Sequence, residues 1–286
     1  MIKLPTPDFN FTDVFQSCLD DSNADNIDDM RNISSCIRRY ERLYNRKASQ
    51  VLLNKFKAVR HGHPDAIIRR GVTKGDLVSL YDDCLSKAGK NSRAIYDAIK
   101  ASSNGICPLC SFGIVGTLDH YMPKARYPIF SVHPQNLVPS CTDCNKGKGS
   151  TVISSREKQV LHPYYLPEHF INDDWIKATV IAATPVTIEF SVEPPDYWDE
   201  LSKQRAINHF IDFNIDTRFQ LQSSLLLTML TSQVRDLLNN QNFTTQQIQS
   251  HFRNIASGEK SNSITKAVSS AIADSDWFCS GGFLDP

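Results

Sequence analysis

Two short cysteine pairs decide the fold: they are Cys107-Pro-Leu-Cys110 and Cys141-Thr-Asp-Cys144, separated by thirty residues. Each pair can present two thiolates from one tight turn, and two such turns complete a tetrahedral shell of sulfur ligands. Protein then occupies all four coordination positions, whereas a catalytic zinc ion needs one open position. The spacing therefore predicts a structural Zn²⁺ ion held by four thiolates.

The composition is typical of a soluble globular protein, and the absence of export and membrane signals leads us to expect a location in the cytoplasm. Of the 286 residues, 41% are hydrophobic and 22% are charged, which excludes a disordered, collagenous or coiled-coil chain. No apolar run approaches the ~18 residues that a membrane helix needs, and the amino terminus lacks the apolar core of a signal peptide. We therefore expect no membrane association and no disulfide framework. Four single cysteines are expected to be small buried hydrophobes: Cys18, Cys36, Cys84 and Cys279.

Charge is balanced overall but divided along the chain. The 31 Lys and Arg residues equal the 31 Asp and Glu residues, which excludes a protein that coats DNA by bulk charge. Residues 1–30 have a net charge of −6, and they are expected to mask the basic stretch or to dock on a partner. Residues 31–70 have a net charge of +9 and contain an amphipathic helix with a basic side. That side is either a solvated surface or a contact for phosphates, and its arginines are Arg38, Arg39, Arg42 and Arg46.

The pattern of elements predicts an α+β fold, a mostly helical chain around a zinc-stapled core. Short extended runs such as Thr117-Leu118 and Leu137-Val138 are typical of two strands that flank a loop. Later in the chain, two strand-like runs around Thr184-Pro185 predict a β-hairpin, followed by helices. We expect a helical region at 1–102, the zinc-bound core at 103–155, and a region with the hairpin and helices at 156–286.

The loop between the cysteine pairs holds residues suited to phosphodiester hydrolysis. That reaction needs a base for water, a cation for the phosphate and the leaving oxygen, and a group that orients the base. His120 has a side chain whose unperturbed pKa suits proton abstraction near neutrality, and the adjacent Asp119 is a hard oxygen ligand for Mg²⁺ or Mn²⁺. On an extended strand the two side chains point to opposite sides, so one can hold metal while the other faces water.

This stretch resembles the HNH endonucleases, or ββα-metal nucleases, in the branch that brackets the motif with two Cys-x-x-Cys pairs. The resemblance covers about residues 105–150. It rests on Asp-His at 119–120, on Asn-Leu-Val-x-x-Cys-x-x-Cys beginning at Asn136, and on Asn145 followed by Lys148. It implies a ββα core that hydrolyses DNA with a single divalent ion and leaves 5′-phosphate and 3′-hydroxyl ends.

The resemblance also implies a role for each residue. His120 would be the general base, Asp119 a ligand of the catalytic ion, and Asn136 the residue whose side-chain carbonyl orients the base. The last motif position, usually His, is Asn145 here, so the chain is an H-N-N variant. An amide oxygen at this position suits Mg²⁺ or Mn²⁺ better than Ni²⁺ or Zn²⁺. Three lysines are expected to contact phosphates: Lys148, Lys146 and Lys124.

The chain has a long amino-terminal region and a helical carboxy-terminal region around the core. This layout is similar to that of HNH subunits of bacterial phage-defence systems such as Septu and Zorya. This similarity implies an antiviral function on DNA, and such nucleases often act with a partner ATPase. Two alternatives remain open: a non-catalytic zinc ribbon that binds nucleic acid or protein, and a homing or restriction enzyme with its own sequence specificity. The ribbon would need the four cysteines but not Asp119, His120 or Asn136.

Other histidines have a structural interpretation by default. His133 is expected to be a turn residue, with contact to a phosphate as the alternative. His162 precedes Pro-Tyr-Tyr, and packing is the default for this segment, with contact to the site or the substrate as the alternative. His61 and His63 are spaced like a metal-binding pair, but no third ligand is near them in the sequence, so we expect a solvated loop.

Overall fold

The computed structural model describes residues 1–284, which form two compact units. The first unit comprises Ile2–Leu166, and the second comprises Met1 and the chain from Pro167 onward. Both units combine helices with two-stranded antiparallel sheets, which confirms the α+β fold class. The boundaries predicted at residues 102 and 155 both lie within the first unit.

Helices dominate the amino-terminal part of the first unit. Its elements are α1 (Phe11–Asp21), α2 (Ile27–Asn32), α3 (Ser34–Ser49), β1 (Ile67–Arg69), β2 (Val72–Thr73), α4 (Lys74–Ser79) and α5 (Arg93–Ala101). α4 begins at a capping box, in which the Thr73 hydroxyl and the Asp76 carboxylate each accept a hydrogen bond from the other residue's amide. A π-helical segment, Leu80–Leu85, follows α4 directly.

The acidic start of the chain belongs to the packed core. The buried side chains of α1 are Phe11, Val14, Phe15, Cys18 and Leu19. Asp13 and Asp20 lie on the exposed face of the same helix, and the Phe11 amide donates to the Glu41 carboxylate of α3 at 2.8 Å. Deleting residues 1–30 would therefore open the core. The hypothesis that this segment masks the basic helix has to be tested by neutralising its exposed aspartates instead.

α3 has the amphipathic pattern that the sequence predicts. Ile37, Tyr44 and Ala48 form its buried face because they recur at helical spacing. The opposite side is solvent-exposed and carries Arg38, Arg39, Arg42 and Arg46. The fold thus presents a row of guanidinium groups on one side of α3 and packs the other side on the core.

A strand–strand–helix module follows α5. β3 (Thr117–His120) and β4 (Leu137–Ser140) pair antiparallel, with Asp119 opposite Val138 and His120 opposite Leu137. α6 (Thr142–Lys148) begins directly after β4, at the second cysteine pair. This order of elements is that of the ββα core which the resemblance to HNH endonucleases implies.

The second unit contains the predicted hairpin and most of the long helices. The elements of this unit are α7 (His169–Asn172), β5 (Ile176–Ile181), β6 (Thr187–Val192), α8 (Glu200–Asp212), α9 (Ile215–Asn239), α10 (Thr245–Gly258), α11 (Ile264–Ala273) and α12 (Asp276–Cys279). β5 pairs antiparallel with β6, and the peptide bond between Thr184 and Pro185 in their connection is cis. α10 begins at a second capping box, between Thr244 and Gln247. No helix within residues 1–284 has both the length and the apolarity to cross a bilayer.

Candidate functional site

The four paired cysteines converge into one sulfur cluster. The Sγ atoms of Cys107, Cys110, Cys141 and Cys144 all lie within 4.8 Å of one another, and all four residues are buried. Cys110 Sγ and Cys141 Sγ are 3.9 Å apart. Four sulfurs that each lie ~2.3 Å from a central zinc would be about 3.8 Å apart, so the spacing fits tetrahedral coordination. The cluster could hold a structural Zn²⁺, as the sequence predicts.

Gly113 closes the space beside the sulfur cluster. A Cβ atom at this position would lie 2.7 Å from Cys141 Sγ and 3.2 Å from Cys110 Sγ, so only glycine fits. Its amide donates to Cys110 Sγ at 3.3 Å, a contact that favours a thiolate. A hydrogen bond from Cys107 lowers the pKa of the Cys110 thiol to about 6. These features match thiolate coordination of a metal ion.

His120 ends β3 and is held by its backbone surroundings. Its Nε2 lies 2.8 Å from the Ser131 carbonyl, which can only accept, so this nitrogen carries the proton. The remaining nitrogen, Nδ1, makes no hydrogen bond to a described residue. The ring packs edge-on against Tyr81, with centroids 4.3 Å apart. Burial and the charge of Lys124 lower the pKa of His120 to about 3, well below a near-neutral value.

Asp119 is buried beside a lysine. Its Oδ2 accepts from Lys148 Nζ at 2.8 Å, and the two side chains are 9% and 11% exposed. The same ammonium also donates to the His120 backbone carbonyl. Burial raises the pKa of Asp119, while the Lys148 charge acts in the opposite direction. The sequence predicts a phosphate contact for Lys148, but the structure gives this lysine a carboxylate partner.

Asn136 holds the loop between β3 and β4. Its amide nitrogen donates to the carbonyls of Met122 and Phe130, both at 3.0 Å. Its side-chain oxygen accepts from the Met122 amide at 2.7 Å and from the Tyr44 hydroxyl at 3.0 Å. The resemblance implies that this oxygen orients the base; in the structure the Ser131 carbonyl contacts the His120 ring. Asn136 acts one step away, since it fixes Phe130, the residue before Ser131.

Asn145 lies on α6, one turn before Lys148. Residues three apart share a helix face, so Asn145 faces the same side as the lysine that contacts Asp119. Its side chain is half-buried and makes no hydrogen bond within the described chain. A carboxylate, an amide oxygen and a backbone carbonyl are ligands that Mg²⁺ and Mn²⁺ prefer, and the Lys148 ammonium already contacts the carboxylate and the carbonyl. The donor set therefore fits a divalent ion.

Three groups that position the site had no signal in the sequence. Tyr44 reaches from α3 to Asn136 and also lies 3.2 Å from His162 Nε2. The Tyr81 hydroxyl donates to the Leu118 carbonyl, beside the predicted base. The Ser131 carbonyl fixes the ring of that base. Buried tyrosines and backbone carbonyls acquire such roles only through tertiary packing.

The histidines assigned a structural role are packed or exposed as expected. His162 is buried and stacks on Tyr121, with ring centroids 3.9 Å apart. His133 is buried and stacks on Phe11, with centroids 4.5 Å apart. His61 and His63 are exposed, and within residues 1–284 neither joins a cluster that could hold a metal.

The cysteines outside the cluster are unpaired. Cys18, Cys84 and Cys279 are buried as expected, whereas Cys36 is partly exposed.

The basic residues predicted to contact phosphates fall into two groups. Lys124 forms an ion pair with Asp82 and lies over the Tyr81 ring, and Lys148 is paired with Asp119. Lys146 is exposed on α6, and the four arginines of α3 are exposed as well. The exposed group alone is available to a nucleic acid without breaking an ion pair.

Comparison with known proteins finds similarity to a phage protein. The chain is 31% identical to protein ea31 of Escherichia phage lambda over 261 residues, which cover 88% of this chain and 88% of that protein. No family model matches the sequence. No solved structure matches it either. The resemblance to HNH nucleases therefore rests on the residues and their geometry.

Proposed function

The chain belongs to the family of protein ea31 of Escherichia phage lambda, and we propose that it is a metal-dependent DNA endonuclease of the HNH type. One observation supports this function above the others. At the end of β3, the Ser131 carbonyl holds one ring nitrogen of His120, the other makes no hydrogen bond to a residue within 1–284, and the preceding residue, Asp119, is a buried carboxylate. The sulfur cluster lies at the other end of the same hairpin and can stiffen it.

His120 accepts the proton of the attacking water in this mechanism. The Ser131 carbonyl binds the Nε2 proton, so the lone pair resides on Nδ1 in the neutral ring. The pKa of about 3 keeps that ring neutral before the reaction, as proton acceptance requires. A phosphodiester beside the ring adds negative charge, which raises the pKa of the imidazole and makes it a stronger base.

Asp119 and Asn145 supply the oxygen atoms that would hold Mg²⁺ or Mn²⁺. When bound, the ion supplies positive charge to the attacked phosphate and the departing oxygen. Asn136 positions the loop that carries Ser131, so it keeps the proton-accepting nitrogen in place rather than touching the substrate.

The exposed side of α3 is the proposed contact for the DNA backbone. Arg38, Arg39, Arg42 and Arg46 are solvent-exposed on a helix whose buried Tyr44 contacts the Asn136 loop. Phosphates bound along this row would have a fixed position relative to the hairpin. The zero net charge of the chain fits a nuclease that is recruited by a partner instead of loading itself.

A nicking assay tests the proposed activity. The zinc-loaded full chain is incubated with supercoiled plasmid and Mg²⁺ or Mn²⁺, and His120→Ala is compared with the control His61→Ala. We expect His120→Ala to lower the nicking rate by about 10²-fold or more, because a general base is lost. The control replaces an exposed histidine and should keep the wild-type rate. Equal rates in both variants would remove His120 from the mechanism.

A non-catalytic zinc module is the second candidate. The low exposure of Asp119 and His120, 7% each, favours it, as does the ion pair that already satisfies the carboxylate. Absence of nicking by the zinc-loaded wild type with either metal, together with retained DNA binding, would support this candidate. Fixed cut positions on a sequenced plasmid would instead indicate a homing or restriction enzyme.

The biological setting remains a proposal. Action in anti-phage defence with a partner ATPase follows from the resemblance to defence nucleases, and the similar protein is itself encoded by a phage. Expression of the chain in a host challenged with phage, beside the His120→Ala variant, tests this setting. Protection that depends on His120 would support it.

A further inference from the structure

Lys148 is enclosed by groups that attract a cation. Its ammonium donates to Asp119 Oδ2 at 2.8 Å and to the His120 backbone carbonyl, and it lies 5.6 Å from the centroid of the Tyr121 ring. A carboxylate, a carbonyl and the negative face of an aromatic ring thus surround one positive charge. We call these three groups and the ammonium the cation cage.

The oxygen atoms of the cage are held by a strand, whereas the ammonium that they bind is carried by a flexible side chain. Lys148 is the last residue of α6, and Gly149 follows with a φ of 54°. The lysine side chain is a flexible four-carbon stem that ends in a compact charge. Its ammonium can therefore leave the cage by rotamer changes alone. The Asp119 and His120 oxygens belong instead to β3, which is held by its pairing with β4. The oxygen atoms would therefore stay in place when the ammonium departs.

We propose that Lys148 is the resident cation of this site and that a divalent ion enters by displacing it. The entering ion would take the Asp119 carboxylate, the Asn145 amide oxygen and the His120 backbone carbonyl as ligands. The inference rests on the proposed function for the identity of the ion. It adds a backbone ligand and a competitor that the motif residues do not reveal.

Displacement also explains how Lys148 can serve two partners. Two cations in one cage repel each other, so the divalent ion and the ammonium cannot occupy it at the same time. The released ammonium remains attached to α6, one turn from Asn145, where a phosphate held by the ion would lie next to it. The phosphate contact predicted from the sequence then belongs to the metal-bound state.

Binding of Mn²⁺ to the zinc-loaded full chain tests the competition. Free Mn²⁺ is measured by electron paramagnetic resonance for the wild type, Lys148→Met, Asp119→Asn and the control Lys146→Met, whose lysine is exposed on the same helix. We expect Lys148→Met to bind Mn²⁺ about tenfold more tightly than the wild type, because the competitor is absent. Lys146→Met should match the wild type, and Asp119→Asn should lose binding. Equal or weaker binding by Lys148→Met would overturn the proposal.

A second measurement uses only the wild-type chain, so it does not depend on the folding of a variant. Lysine acetylation of the wild type by a reagent, followed by mass spectrometry, reports how often each ammonium is released. We expect Mn²⁺ to increase the modification of Lys148 while leaving that of Lys146 unchanged. A Lys148 rate that does not respond at saturating Mn²⁺ would refute displacement.

The two proposals fail in different ways. Tighter Mn²⁺ binding by Lys148→Met without any plasmid nicking would support the cation cage and contradict the nuclease. Nicking by the wild type with unchanged Mn²⁺ binding in Lys148→Met would support the nuclease and contradict displacement.

Discussion

The sulfur cluster and the cation cage lie at two ends of one hairpin, and they differ in how their partners are chosen. The cluster unites four like side chains, all buried, at a spacing that fits one ion. The cage joins a carboxylate, a carbonyl and an aromatic ring around the chain's own ammonium. Helix α6 contributes to both, through Cys144 and Lys148 on one face. A site of like ligands can thus be identified from spacing, whereas a site of mixed partners requires the fold.

The largest expected effect follows from removing a ligand of the sulfur cluster. Cys144→Ser removes one thiolate, so zinc should be lost together with about 10 kcal/mol of metal-linked folding free energy. A domain of ordinary stability cannot absorb this loss, and the first unit should unfold. Metal content by mass spectrometry and thermal denaturation measure the change. Cys36→Ser, at a partly exposed cysteine outside the cluster, is the control. A zinc-free Cys144→Ser protein that melts like the wild type would contradict a structural metal.

The second largest effect is expected in the loop between β3 and β4, which Asn136 holds. Asn136→Ala removes the side-chain partner of the Met122 amide and carbonyl, and it takes one of several partners from the Phe130 carbonyl and from the Tyr44 hydroxyl. We expect the free energy of unfolding to fall by roughly 3–5 kcal/mol, because each unsatisfied buried group costs about 1–3 kcal/mol. Chemical denaturation measures it, with Asn23→Ala in an exposed loop as the control. A loss below about 1 kcal/mol would show that water replaces the amide.

Acid should lower the free energy of unfolding through His133, a buried residue of the same loop. Burial lowers the pKa of His133 from its ordinary 6.5 to about 3. Between these values the unfolded chain binds a proton that the folded chain does not, so stability falls as the pH drops below 6.5. The contribution is about 1.4 kcal/mol per pH unit once the unfolded imidazole is fully protonated.

The His133→Gln variant isolates this contribution. Protonation of the thiolates also destabilises the fold in acid, but it affects the wild type and the variant alike. We expect a shallower dependence of unfolding free energy on pH in His133→Gln between pH 6.5 and 5. His61→Gln, at an exposed site, should keep the wild-type slope. Parallel slopes in the wild type and His133→Gln would show that the buried ring is protonated in the folded state.

The smallest expected effect concerns the surface outside both sites. Replacing Arg38 and Arg42 by Gln should weaken DNA binding about 3- to 10-fold at low salt and reduce the salt slope by up to about 2, since two phosphate contacts are lost. Arg235→Gln with Lys260→Gln changes the net charge equally at exposed positions of the second unit. Fluorescence anisotropy at several salt concentrations measures both. An equal effect of the control pair would indicate that only total charge matters.

The sequence predicts the framework of the site better than its contacts. Cys-x-x-Cys spacing, the hairpin around Asp119 and His120, and the amphipathic α3 all follow from local patterns, and the structure has them. The partners of Lys148 and Lys124 could not be predicted, because an ion pair between distant residues depends on which acid the fold brings near. The depressed pKa of His120 likewise follows from tertiary burial and not from residue type.

Tyr44 has a consequence for how a duplex would meet the hairpin. Its ring is buried, and its hydroxyl joins α3 to the Asn136 side chain without an intervening hinge. This buried contact couples α3 to the side chain that also holds Phe130, the residue before Ser131, whose carbonyl contacts the imidazole. If DNA binds this row as proposed, we expect the duplex to adapt its own shape when a phosphate approaches the ring. Flexible pyrimidine–purine steps deform at low cost, so they should be cut before rigid A-tracts.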